Sequence, residues 1–370
     1  MAAWGAMAGW MAAGAGALMA AEAAAKVWDL TRRNRDERRH LADVYAAEGA
    51  RWAQDYFREF ARFRPTFAWT SYVYWKPRPF SGRFITVGAE GLRRTVPEGD
   101  DSLPMVLVLG GSVVWGEGVR DEGTLPSRLA ARLAAAGRPC RVVNGAQLGS
   151  VSGQDLLSLM LWLQSGRRPA VVVMMPGFND VFSAELNGRA GLPHKEWHRR
   201  SEFNIQLSQR RLLAALLRNS GLGRLILGYE TEAPDRRVLR PDTDALADRT
   251  AAILDANLRC ARALAAEFGC RLLAFWHPHL FAKQAPTPYE RVWRDSIAFG
   301  RPLYEAVERR LPRDGTLTDL GGLFAADNGP TFLDYAHPGE TANDRLAHVI
   351  ADHVLRSLGS IPVAKETVPC

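Results

Sequence analysis

Met105-Val-Leu-Val-Leu-Gly-Gly-Ser-Val-Val-Trp-Gly116 is the stretch that decides the fold. Five apolar residues in a row, ended by two glycines, predict a short strand buried on both faces, as in a parallel sheet. The Gly-Gly-Ser that follows predicts a tight turn into a helix. Gly111 and Gly116 have the spacing of a phosphate-cradling loop. Glu117 follows where such a loop needs Lys, so the cation for a nucleotide's phosphates is missing. What the turn does offer is the hydroxyl of Ser112 at a strand end. Taken alone, a Ser there is usually just a helix cap.

Working outward, strand and helix alternate. A helix over 126–136 leads to a strand at Arg141-Val-Val143, and a helix from Gly153 to Gln164 leads to a strand at Ala170–Met174. Less regular sequence over 181–250 holds a helix near 204–218. A second helix runs from Thr243 to about Phe268, followed by a strand at Arg271–Phe275. A helix near 289–311, a weak strand around Leu317–Leu320 and a helix from Gly339 to about Leu358 complete the run. This order predicts an α/β protein with a parallel central sheet and helices on both faces. Ligands in such folds bind at the carboxyl ends of the strands.

Three further strand ends and loops carry candidate chemistry. Asn144-Gly-Ala-Gln-Leu-Gly149-Ser150 follows the second strand, and Gly149 offers an unhindered N–H. Met175-Pro-Gly-Phe-Asn179-Asp180 follows the third, and the Asn179 amide can donate to an anion; Asp180 reads as a helix cap. Asp334-Tyr-Ala-His337 precedes the last helix. Its spacing lets a carboxylate orient an imidazole through Nδ1 while Nε2 faces outward. Each signal alone has a plain structural explanation.

Together, in this order, the four blocks resemble the SGNH (GDSL-like) hydrolase superfamily over roughly residues 103–358. Ser112 stands in a GGS rather than a GDS form. The resemblance implies a three-layer α/β/α, flavodoxin-like fold. It implies acyl transfer with Ser112, Asp334 and His337 as catalytic residues, and Ser112, Gly149 and Asn179 as oxyanion donors. It calls for no cofactor and no metal. The expected substrate is an ester of a carbohydrate or lipid. An O-acyltransferase on a cell-envelope glycan would use the same residues, and a non-catalytic carbohydrate-binding domain is the third reading. The upstream stretches Tyr72-Val-Tyr-Trp-Lys-Pro77 and Gly91-Leu-Arg-Arg-Thr95 are similar to the leader of many bacterial SGNH proteins.

Other histidines weigh less. His277 and His279 follow the fourth strand and are candidates for substrate contact. His194 and His198 read as surface residues, because no third metal ligand accompanies them. His348 and His353 read as structural residues of the last helix.

The 370 residues suffice for a large core. The net charge of +7 is weak support for nucleic-acid binding, since the basic residues are scattered and only five of the 47 are Lys. Four cysteines without a CxxC exclude a zinc ribbon, and Cys260 and Cys270 read as buried free thiols.

Residues 1–21 carry no side-chain charge, and a basic cluster, Arg32, Arg33, Arg35, Arg38 and Arg39, follows. The length suits a membrane span, whereas the Ala/Gly composition makes insertion marginal. A weak membrane anchor, an atypical export signal and a disordered or helical leader all stay open, and so does the compartment. The division expected is a leader over 1–30, an extension over 31–102, the catalytic domain over 103–358 and a tail over 359–370. Within the extension, one helix over about 36–62 with an aromatic stripe precedes short strands at Tyr72–Pro77 and Phe84–Val87, and a linker lies near Pro97–Asp101.

Overall fold

The computed structural model describes residues 14, 16–28, 42–194, 196–205, 220 and 242–359. The chain divides into two compact units, residues 1–42 with 195–240 and residues 43–194 with 241–370. In the first, residues 16–28 and Glu196–Ile205 are helical. The basic cluster, the helix expected near 204–218 beyond Ile205, the His198 side chain and most of the tail lie outside the described residues. Among the described residues, no helix is long and apolar enough to cross a membrane.

The second unit is built on five strands, β5 (Met105–Gly110), β6 (Arg141–Asn144), β7 (Val171–Met175), β8 (Arg271–Trp276) and β9 (Thr318–Asp319). They hydrogen-bond side by side in the order β6-β5-β7-β8-β9, and every pair is parallel. This 2-1-3-4-5 order is the flavodoxin-like one, with a switch point beside β5. Val106, Leu107, Val108, Val171, Val172 and Val173 are fully buried, which explains their continuous apolar runs.

Helices α4 (Leu125–Ala135) and α10 (Glu340–Gly359) pack on each other and cover one face; α5 (Ser152–Gln164) and α7 (Thr243–Glu267) cover the other. In the chain α3 (Ser112–Trp115) precedes α4, α6 (Phe178–Asn187) lies between α5 and α7, and α8 (Pro288–Ser296) and α9 (Arg301–Glu308) follow β8. Their starts follow local chemistry. Thr124 accepts from Ser127 N at the head of α4, and Thr287 and Glu290 form a reciprocal cap on α8.

Upstream come α1 (Ala42–Ala47), α2 (Ala53–Phe63) and two antiparallel pairs. These are β1 (Phe67–Thr70) with β2 (Tyr74–Pro77), and β3 (Phe80–Ser81) with β4 (Thr86–Val87). Tyr56, Phe60 and Phe63 of α2 belong to the same hydrophobic core as the sheet.

Three expectations need correction. The single helix over 36–62 is broken, because the chain turns at Glu48-Gly49-Ala50 between α1 and α2. The helix over 289–311 is also two helices. Pro302 has no N–H to continue the ladder and sits instead in the first turn of α9. Cys140, Cys260 and Cys270 are free thiols; Cys270 is buried, whereas Cys260 is exposed, on the outer side of α7.

Candidate active site

β5 ends at the switch point, and the chain turns there into the single helical turn α3. Gly111 sits where a Cβ would lie 2.3 Å from Asn179 Nδ2, so the amide of Asn179 occupies the room a side chain would need. Ser112, the first residue of α3, meets the loop before α10. Its Oγ is 2.7 Å from His337 Nε2. On the other side of the ring, Nδ1 is 2.7 Å from Asp334 Oδ2 and 2.9 Å from Oδ1. Asp334 Oδ1 also accepts from the N–H groups of Ala336 and His337, at 2.8 and 3.0 Å. The carboxylate therefore fixes both the turn and the ring, and with it the Nδ1–H tautomer.

The electrostatics follow from burial and from two carboxylates. Burial alone would lower the pKa of His337, but Asp334 and then Glu117 favour the imidazolium and carry it up to about 9. Burial would raise Asp334, yet the charge and hydrogen bonds of His337 hold it below its ordinary value. Glu117 Oε2 lies 3.7 Å from Nε2. Burial pushes the Glu117 carboxyl up, and His337 pulls it partly back.

A pocket opens over this group, lined by Gly111, Ser112, Ser150, Gly177, Asn179 and His337, with Phe178, His277 and Tyr335 in its wall. Asn179 Nδ2 gives one hydrogen to the Ser150 carbonyl at 2.9 Å; the amide carries a second. Gly149, whose left-handed φ of +72° suits a glycine, is one residue removed from the lining. A Cβ on it would approach the rings of Trp75 and His194, at 3.5 and 3.7 Å. His194 is thus half-buried behind the glycine loop rather than out on the surface.

The other candidates fall out differently. His277 is in the pocket wall, but both ring nitrogens are taken. Nε2 accepts from Phe178 N at 2.6 Å and Nδ1 donates to the Pro278 carbonyl at 2.8 Å. Burial, only partly offset by that carbonyl, lowers its pKa to about 4, so the ring is neutral and secures the start of α6, where Asn179 sits. His279 turns away, with Nε2 2.9 Å from Glu308. Asp180 caps α6, accepting from Gly177 N, and also holds Ser152 N at 2.9 Å. On α10, His348 is exposed and His353 lies edge-on to Phe275. Among the described residues, no group of three or more His, Cys, Asp or Glu is arranged to hold a metal.

Sequence reasoning missed the groups that hold these loops. Arg93, fully buried, pairs with Asp121 and donates to the carbonyls of Gly116 and Val119. Its guanidinium also lies 4.3 Å over the Trp115 ring. Trp75 Nε1 donates to Leu148 O at 2.8 Å, next to Gly149. Ser150 Oγ bonds the buried carboxyl of Asp155 at 2.6 Å; burial raises that carboxyl's pKa to about 8. Two of these residues lay in stretches that carried a signal, Trp75 in Tyr72–Pro77 and Arg93 in Gly91–Thr95, both resembling the leader of many bacterial SGNH proteins, but neither stretch showed what its side chains would hold.

No family model and no curated protein matches the chain by sequence. It is similar to several solved structures. One is TesA, with 20% identity and a TM-score of 0.35, covering 69% of this chain and 97% of that one. A carbohydrate acetylesterase from Sinorhizobium meliloti has 16% identity and a TM-score of 0.36, covering 68% and 99%. A GDSL-like lipase from Bacteroides thetaiotaomicron has 14% identity and a TM-score of 0.34, covering 71% and 93%.

Proposed function

We propose that the protein is a serine hydrolase of the SGNH type that cleaves an O-acyl ester through an acyl-enzyme on Ser112. One observation carries the reading: the 2.7 Å contact between Ser112 Oγ and His337 Nε2, with Nδ1 of the same ring on Asp334. Nucleophile, base and orienting carboxylate are recognised by such geometry, whatever their order in the chain.

In the first step His337 Nε2 takes the Ser112 hydroxyl proton as Oγ bonds the ester carbonyl carbon. The oxygen that becomes negative is met by Ser112 N–H, Gly149 N–H and the second amide hydrogen of Asn179; one such donor is worth roughly 2.7–4 kcal/mol in the transition state. The imidazolium, balanced by Asp334, then gives its proton to the departing alkoxide as the C–O bond breaks. Water repeats the sequence on the acyl-enzyme and releases the acid and free Ser112. A sugar hydroxyl in place of that water would make the same cycle a transfer.

A serine-reactive fluorophosphonate should label Ser112, as read by peptide mapping. Ser112→Ala should lose labelling and ester turnover while keeping its circular dichroism and melting temperature. Full turnover by the purified Ala variant would overturn the reading. Product analysis with a sugar acceptor divides the two reactions: free acid marks a hydrolase, acyl-sugar a transferase.

A further inference from the structure

The β1–β2 hairpin places an unusual set of rings in water. Trp69 is 68% exposed and Tyr72 is 64% exposed. Trp69 and Trp75 are register partners and share a face, whereas alternation would put Tyr74 on the opposite one. Tyr74 instead has φ +75°, and Tyr72 has φ +69°. A left-handed backbone at a bulky residue costs on the order of 1–3 kcal/mol and persists only where its surroundings impose it. The result is a row. Trp69 stacks on Tyr74 with ring centroids 5.4 Å apart and planes 28° apart, and Tyr74 lies 6.3 Å from Trp75 at 33°.

The row runs into the pocket's edge. Trp75 Nε1 holds Leu148 O, its ring adjoins Gly149, and the next residue, Ser150, lines the pocket beside Ser112. The turn of the hairpin is fastened as well, because Gln154 Nε2 of α5 donates to the Val73 carbonyl at 2.9 Å. The rings therefore form a fixed surface continuous with the loop that faces the ester.

We propose that the Trp69–Tyr74–Trp75 row is a sugar-binding platform, carrying the carbohydrate part of a glycan ester whose acyl group lies at Ser112. The position of the acyl group rests on the serine-hydrolase reading; the platform itself does not. A pyranose ring has an apolar C–H face, which a flat aromatic covers, and a rim of hydroxyls that must stay in water or meet polar groups. Trp69, 68% exposed, offers the flat face, and the half-buried Tyr74 and Trp75 carry the surface on toward the pocket. An alkyl chain gains by being enveloped on all sides, and a ring exposed in this way covers only one. The exposed rings on this hairpin are Trp and Tyr, amphipathic side chains, with the hydroxyls of Thr70 and Ser71 beside them.

The experiment compares an acetylated xylooligosaccharide with p-nitrophenyl acetate, which carries no sugar. In Trp69→Ala, the ratio of kcat/KM for the oligosaccharide to kcat/KM for p-nitrophenyl acetate should fall about five- to tenfold, with the loss in KM. An unchanged ratio overturns the platform, whether both activities hold or both fall. A second arm needs no turnover. The oligosaccharide should quench tryptophan fluorescence saturably in Ser112→Ala and not in Ser112→Ala with Trp69→Ala. Absence of quenching in Ser112→Ala, or quenching by phosphatidylglycerol vesicles but not by sugar, also overturns it. Loss of p-nitrophenyl acetate turnover in the wild type would strike the serine-hydrolase reading alone and leave the fluorescence arm to decide the platform.

Discussion

Ser112 Oγ lies 2.7 Å from His337 Nε2, within hydrogen-bond distance, and Glu117 stands 3.7 Å from the same nitrogen. In the proposed mechanism Nε2 must be neutral to accept the serine proton, so kcat/KM should rise with pH as His337 deprotonates. Asp334 and Glu117 both favour the charged ring and delay that step, against burial, to about 9. Burial and Asp334 raise the pKa of Glu117 itself, and His337, Arg64 and Arg93 pull it partly back. Glu117→Gln removes one of the two negative neighbours and leaves the Asp334 contact in place. The acidic limb of the kcat/KM profile should then move about one pH unit lower, the effect of one charge within a few ångströms. A limb that stays where it was would show that the carboxylate at 117 does not act on the ring.

The elements that deliver these residues are held by buried charge. Lys283 and Glu290 are both fully buried, with Nζ 2.8 and 2.6 Å from the two carboxylate oxygens. Glu290 also accepts from Thr331 N at 2.9 Å and Phe332 N at 3.0 Å, just before the Asp334–His337 turn. Glu290→Ala leaves the buried ammonium without its counter-charge, with only the Gly329 carbonyl and the Thr331 hydroxyl beside it, and releases those two N–H groups. It should destabilise the fold by about 3–5 kcal/mol in urea unfolding and lower kcat as the turn loosens. An effect under 1 kcal/mol would show that the pair does not anchor the turn. Nothing in the sequence singled out this pair, since Lys and Glu seven positions apart look like an ordinary wet surface until the chain folds over them. The strand ends were legible for the opposite reason. Buried parallel strands must read as apolar runs, and the glycine turns that end them are local, so Ser112, Gly149 and Asn179 stood out before any contact was known. The breaks at Gly49 and Pro302 were legible too, but the aromatic and apolar periodicity over 52–63 and 289–311 masked them. The partners of Gly116, Leu148 and Ser150 were not legible, because tertiary packing between distant segments sets them.

At the scale of the whole molecule, the upstream segment is part of the core that the Ser112 turn rests on. Phe63 stacks on Trp115 with ring centroids 5.3 Å apart and planes 17° apart. Around Gly118, Tyr45 Oη donates to its carbonyl at 2.7 Å and Tyr56 Oη accepts from its N–H at 2.9 Å. Arg93 fills the remaining space beneath the turn, where Glu59 also binds the N–H groups of Phe84 and Ile85 at 2.9 and 2.8 Å. A chain begun at residue 103 would lose all of these and expose Trp115 and the edge of the sheet. Deleting one large buried aromatic typically costs about 3–5 kcal/mol, against a net stability of about 5–15 kcal/mol for an entire domain. Removing Tyr56, Phe60 and Phe63 together, at roughly 9–15 kcal/mol, therefore consumes most or all of that margin. The shortened chain should show no cooperative thermal transition and no labelling by a fluorophosphonate. A sharp melt with labelled Ser112 would mean that the sheet and its helices stand alone. Residues 43–102 would then matter for substrate, through the hairpin, and not for the fold.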